Sequence, residues 1–126
     1  MSSFAFDANI VIDALVGREA ALVELERAAA AGGQVWISRM AWVEVLSKGE
    51  GHELRKARDY LSHFAVDEID AQIADRAASL RRERPRLRSP DAIILASAIV
   101  RGRILVTRNT KDFPASMPGI RVPYSL

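Results

Sequence analysis

The sequence predicts an α/β fold, with helices covering both faces of a central, mainly parallel sheet. Three observations carry this reading. Short runs at Phe4–Phe6, Val35–Ile37 and Ile104–Val106 are wholly apolar, as strands buried on both faces are. Segments of helical periodicity separate them, so strands and helices alternate along the chain. The length of 126 residues, 49% of them hydrophobic and 27% charged, suits a single domain spanning 1–126 with a substantial core.

Phe4–Phe6 is the first strand and ends at Asp7. Ile10–Leu15 forms a short helix closed by Gly17. Glu19–Ala31, rich in Ala, Leu and Glu, stops at Gly32-Gly33, a helix C-terminal signal. After the Val35–Ile37 strand, Ser38 is placed to cap a helix over Met40–Ser47. Leu54, Ala57, Tyr60, Leu61 and Phe64 recur at helical spacing over Glu53–Phe64, although Phe64–Val66 also suits a strand. Asp70 caps a helix running to about Arg84, with Ile73, Ala77 and Leu80 on one face. Ser89-Pro90 opens the next, with Pro at the first helical position, where its missing N–H costs nothing. That helix ends at Gly102; the Ile104–Val106 strand and a last short strand at Ile120–Val122 follow.

Composition removes several function classes. There is no cysteine, which excludes a disulfide scaffold, a cysteine zinc site and thiol catalysis, and suits a reducing cytoplasm. His52 and His63 alone do not make a histidine metal site. Met1 to Asp7 lacks the basic region of a signal peptide, and the longest apolar run, Ala92–Val100, is broken by Ser97 and too short for a membrane span. A cytoplasmic, membrane-free protein is expected. Net charge is only +2, but fifteen of the 18 basic residues are arginine, and eight lie between Arg76 and Arg103 against two acids. Such a stretch suits a phosphate backbone or an ordinary solvated face.

In open parallel sheets, sites form beyond the carboxyl ends of the strands. Acids recur there. Asp7 follows the first strand, with Asn9 beside it; taken alone, a simple helix cap explains Asp7 better than a site does. Asp13, on the same short helix, suits either the site or solvent. Glu44 is the one charge within Met40–Leu46, a helix expected to be apolar all round and therefore buried, where a lone carboxylate is costly. Asp91, expected at the second helical position, also complements a helix dipole. Asn109 and Asp112 follow the Ile104–Val106 strand and suit either a turn or oxygen ligation. Converging carboxylates repel one another unless a cation intervenes, and an oxygen-only donor set selects a hard ion, Mg²⁺ or Mn²⁺.

Phe6-Asp7-Ala-Asn9-Ile-Val-Ile-Asp13, isolated Glu44, Ser89-Pro90-Asp91-Ala-Ile-Ile, and Leu105-Val-Thr107-Arg-Asn109-Thr-Lys-Asp112-Phe113 together resemble the PIN-domain ribonucleases. More narrowly they resemble the VapC toxins of bacterial type II toxin–antitoxin pairs. The likeness runs from about Phe4 to Val122. It implies a three-layer α/β/α sandwich and an endoribonuclease that hydrolyses RNA phosphodiester bonds at a carboxylate-held Mg²⁺ or Mn²⁺ site. The implied catalytic acids are Asp7, Glu44, Asp91 and Asp112, which also ligate metal, with Asn109 as a further ligand. Where many members carry Ser or Thr after the first acid, this chain has Ala8. Thr107 supplies the strand-end hydroxyl. Implied partners are RNA, a VapB-type antitoxin lying over Trp42 and Leu46, and a second copy of the chain in a homodimer.

Arg81, Arg82, Arg86 and Arg88 are candidates to hold an RNA backbone, while Trp36 and Trp42 are expected to serve the core. Two enzyme or binding alternatives stay open. An aspartate-nucleophile phosphatase shares Asp-x-Asp after its first strand, but Asn9 stands at the second position here. A PIN-like domain that binds RNA without cutting it needs no full acid set. A phospho-receiver domain wants a Lys-Pro pair that Lys111-Asp112 does not provide.

Overall fold

The structure, a computed structural model, describes residues 2–126. β1 (Phe4–Phe6), β2 (Val35–Ser38), β3 (Ala65–Asp67), β4 (Ile104–Val106) and β5 (Ile120–Arg121) form one sheet in the order β3-β2-β1-β4-β5. Every neighbouring pair is parallel. The helices are α1 (Ala8–Leu15), α2 (Glu19–Gly32), α3 (Arg39–Leu46), α4 (His52–Leu61), α5 (Ala71–Glu83) and α6 (Ser89–Arg101).

The chain steps from β1 outward to β2 and β3, then returns over the sheet to β4 on the other side of β1. Parallel crossovers are right-handed, so reversing the direction of travel puts α5 and α6 on the face opposite α2 and completes an α/β/α sandwich. The reversal makes the β1/β4 boundary the topological switch point, where open sheets leave a crevice. Phe4 pairs with Ile104 and Phe6 with Val106, so Asp7 and Thr107 leave the sheet side by side. α3 packs on both α1 and α6.

Phe6, Ile37, Leu105 and Val106 fill the middle of the core, with Ile10 and Val11 of α1, Ile73 of α5 and Ile94 of α6 closing it. Gly102 takes the left-handed conformation (φ 69°) that stops α6, its N–H reaching the carbonyls of Ala98 and Ile99, before the turn into β4.

Several boundaries move for local reasons. α1 begins at Ala8, not Ile10, because the Asp7 side chain caps the Ala8 N–H at 2.8 Å. α4 stops at Leu61, which frees Phe64 to pack edge-on against Phe6 (6.3 Å between rings) and the chain to enter β3. α6 starts at Ser89 with Arg88 as its cap, so Pro90 and Asp91 stand one position later than expected. Proline still costs nothing there, since first-turn N–H groups have no helical partner. α3 is not buried all round: only Ala41 and Val45 are fully covered, and Val43 is exposed. Trp36 and Trp42 are both half-buried, but only Trp42 packs against the core; each lies beneath a guanidinium, Arg103 over Trp36 at 3.4 Å and Arg39 over Trp42 at 4.6 Å.

Candidate active site

Asp7 ends β1 and caps α1, so two rigid elements fix its carboxylate, which is 4% exposed. Its Oδ1 accepts from the Ala8 N–H. Its Oδ2 accepts from the Thr107 hydroxyl at 2.7 Å and from the Asn9 side-chain amide at 3.3 Å. The helix-cap role and a place in an acid cluster are thus both real, and one does not exclude the other.

Ser38 ends β2 and accepts the Ala41 N–H at 3.0 Å, which starts α3 and brings Glu44 over the same crevice. Asp91, in the first turn of α6, is 5% exposed. Asn109 follows Thr107 out of β4; its N–H donates to the Thr107 hydroxyl at 3.0 Å. Asn109 and Asp112 then lock each other, with the Asn109 amide donating to Asp112 Oδ2 (2.9 Å) and the Asp112 N–H to Asn109 Oδ1 (3.3 Å).

A cleft of about 200 Å³ results, lined by Asp7, Ala8, Asn9, Ile12, Glu44, Lys48, Arg88, Asp91 and Asn109. Asp7, Glu44, Asp91 and Asn109 thus all line one cleft. Asp112 lies one step away, lining an adjoining pocket. Asp13 does not join them. It is buried on the far side of α1, gripped by Arg108 (2.7 and 3.2 Å), the Tyr124 hydroxyl (2.7 Å) and Arg18. Burial alone would lift its carboxyl, but these partners outweigh it and hold it below the ordinary range. Lys48 also lines the cleft, a place the sequence reading does not give it; it stands just past the end of α3, four residues after Glu44. Arg81 is turned away to the Leu87 carbonyl, and Arg82 lines neither cavity.

The electrostatics of the cleft are those of carboxylates short of positive charge. Burial, and then the charge of Asp91, raise the Asp7 pKa against its hydrogen bonds. Burial, Asp7 and Asp91 raise that of Glu44, with Arg88 and Lys48 opposing. Burial and the Asp112 charge raise that of Asp91. Asp91 Oδ2 is buried with no hydrogen-bond partner. Arg88 Nε stands 3.6 Å from it, too far for a hydrogen bond. Among the described residues, no three acidic or imidazole side chains already form a tight metal-holding group. The donor set nevertheless fits a hard cation: it is all oxygen, its members repel, and one buried oxygen accepts no hydrogen bond.

The PIN domain family model matches residues 4–115. The chain belongs to the PIN-domain family. This PIN domain is 42% identical to a chain of a toxin–antitoxin complex from Klebsiella pneumoniae, covering 98% of this chain and 100% of that one with a TM-score of 0.87. It shares its fold with VapBC2 from Rickettsia felis bound to a promoter DNA fragment (23% identity, 93% and 94% covered, TM-score 0.77). It also shares it with DNA-bound VapBC from Salmonella typhimurium (24% identity, 96% of each chain covered, TM-score 0.76). No protein of curated function matches it in sequence. Among the described residues, no helix is long and apolar enough to cross a membrane.

Proposed function

We propose that this PIN domain is a metal-dependent endoribonuclease acting as the toxin of a type II toxin–antitoxin pair. The observation that carries the proposal is the cleft of mutually repelling carboxylates at the β1/β4 switch point, in which buried Asp91 Oδ2 accepts no hydrogen bond and has only the 3.6 Å approach of Arg88. Asp7, Glu44, Asp91 and Asp112 would hold one or two Mg²⁺ or Mn²⁺ ions, with the Asn109 amide oxygen in reach. A metal bound there supplies an activated water and offsets charge on the phosphate being cleaved. The chain does the positioning. Thr107 and Asn9 fix Asp7 by hydrogen bonds to the same oxygen, leaving its acid face toward the cleft. The Asn109–Asp112 pair sets the loop after β4. Lys48 and Arg88 place positive charge at the rim, where a phosphate must enter. Asn9, standing where a phosphatase of the aspartate-nucleophile class has its acid/base, is occupied in holding Asp7.

The likeness to a toxin–antitoxin chain at 42% identity supports an antitoxin partner. A groove of about 370 Å³ between α1, α3 and α4 suits its apolar segment better than the Trp42–Leu46 face expected from sequence. It is lined by Ile12, Leu15, Val16, Val45 and Ala57, and Val16 is 72% exposed. Ile12 and Lys48 line both this groove and the acid cleft, so a segment seated there reaches the carboxylates directly. A homodimer and a cytoplasmic location belong to the same proposal.

The test is cleavage of RNA by the purified chain with Mg²⁺ or Mn²⁺, with chelator, and in Asp91→Asn. Cleavage should need the metal and vanish in the variant while its melting curve stays cooperative. Metal-independent cleavage, or full activity in Asp91→Asn, would overturn the assignment.

A further inference from the structure

Only two buried side-chain polar atoms among the described residues lack a hydrogen-bond partner. One is the acceptor Asp91 Oδ2, in the acid cleft. The other is a donor, Arg84 Nη1. Arg84 lines a cavity of about 950 Å³, together with Arg86, Arg88, Lys111, Asn109 and Asp112. This cavity and the acid cleft share Arg88 and Asn109 as a common wall. A buried guanidinium N–H without an acceptor is costly, and an anion held in the cavity would satisfy it.

The charges of the larger cavity agree. Arg86 and Lys111 make no ion pair or hydrogen bond, and Arg88 is mostly exposed, with only the long 3.6 Å approach to Asp91. The cavity has room for a nucleotide. Arg84 is anchored by its other terminal nitrogen, which donates to the backbone carbonyl of Asp112. One side chain thus joins the loop bearing the Asn109–Asp112 pair to the floor of a basic pocket.

We infer that the Arg84–Arg86–Lys111 pocket binds the phosphate flanking the scissile one in a single RNA strand, with Arg84 as its central ligand. This rests on the nuclease reading, since the strand must pass through the acid cleft to reach the pocket. Arg88, on the shared wall, lies between the two phosphates. The pocket also makes the site sensitive to what it holds: an anion on Arg84 pulls on the residue that tethers the Asp112 backbone.

The probe is a fluorescein-labelled ten-nucleotide RNA, followed by anisotropy with chelator present so that nothing is cut, across a series of salt concentrations. Wild type is compared with Arg84→Gln, Arg86→Gln and Lys111→Gln, and with Arg58→Gln on α4 as an equal loss of charge elsewhere. Each pocket variant should weaken binding, Arg84→Gln by about tenfold, a charge-assisted hydrogen bond's worth. Each should also lower the slope of log affinity against log salt by about 0.7, the value for one phosphate contact on a single strand. Arg58→Gln should leave the slope unchanged. Arg86→Gln and Lys111→Gln keep the test valid if Arg84→Gln melts early, because neither touches the framework. Equal effects from Arg58→Gln and the pocket variants would overturn the pocket. So would unchanged slopes in Arg86→Gln and Lys111→Gln. Wild-type cleavage of RNA alongside either result would leave the nuclease standing without the subsite. Pocket-dependent slopes without any metal-dependent cleavage would refute the nuclease and keep an RNA-phosphate site.

Discussion

Glu24 is the perturbation whose size can be worked through. It lies on α2, 4% exposed, and accepts from Nε and Nη2 of Arg27 (3.0 and 2.6 Å) and from Nε and Nη2 of Arg121 (2.7 and 3.0 Å). Arg121 belongs to β5, a strand of two residues at the sheet edge, so this carboxylate is what ties that edge to α2. Burial pushes its pKa up, but the two arginines win and bring it from an ordinary 4.5 to about 2. The folded value lies below the unfolded one. The stabilisation is therefore complete above the unfolded pKa and drains away as pH falls from about 4.5 toward 2. At 1.36 kcal/mol per pH unit the gap sets a ceiling of roughly 3 kcal/mol. The Arg27 and Arg121 side chains are 37% and 40% exposed, so water screens the pair, and about 1–2 kcal/mol is the expected net value. Glu24→Gln keeps the shape and removes the charge. Urea unfolding of wild type and variant at pH 7, 5, 4 and 3 should give a stability gap of that size at neutral pH, closing steadily below pH 4.5. The other carboxylates titrate in both proteins and cancel in the difference. A gap that does not change with pH would mean Glu24 acts by shape alone and the electrostatic argument is wrong.

Glu44→Gln should fold, fail to cleave RNA, and melt higher than wild type in chelator near pH 7. The Glu44 pKa is raised in the fold, so the unfolded chain ionises first and wild-type stability falls as pH climbs through the raised value; a lower melting temperature in the variant would point to a structural ion pair instead. Asp7→Asn should bind Mn²⁺ much more weakly than wild type by isothermal titration, and equal binding would remove Asp7 from the site. An antitoxin arginine reaching the carboxylates would compete with metal for the same oxygens, so inhibition of RNA cleavage by the product of an adjacent small gene should weaken across a rising Mg²⁺ series. Inhibition indifferent to Mg²⁺ would place the block on the RNA path, and full cleavage at saturating partner would refute the toxin–antitoxin assignment alone.

What was legible in the sequence followed local rules. Phe4–Phe6 and Ile104–Val106 read as buried strands because nothing polar interrupts them, and Ser38 and Asp70 announced their helices by capping chemistry that the structure repeats at 3.0 and 2.9 Å. The acids at the strand ends were legible for a similar reason, since the crevice of a parallel sheet is set by topology. Pairings across long separations were not. Asp13 is gripped by Arg108 and Tyr124, and Glu24 by Arg121, and no periodicity encodes a partner some hundred residues away. The apolar run in α3 misled because hydropathy reports what a face prefers, not whether anything in the same chain covers it; Val43 stays exposed. Arg84 was passed over among its neighbouring arginines because its distinction, one anchored nitrogen and one idle, is purely geometric.

The strand order has a consequence for synthesis. β1 is central, and one of its two edges is filled by β4, with Phe4 on Ile104. While the chain is being made, that edge stays open after β2, β3 and all six helices have emerged, because the strand that closes it follows them in the sequence. Contacts of such reach are the slowest to form, since a long loop must be closed before any pairing rewards it. Thr107, which orients Asp7, and Asn109 arrive with that same late strand. A nascent chain that has not yet made β4 therefore carries Asp7 without the hydroxyl that orients it, and the acid cleft is assembled only when β4 joins the sheet.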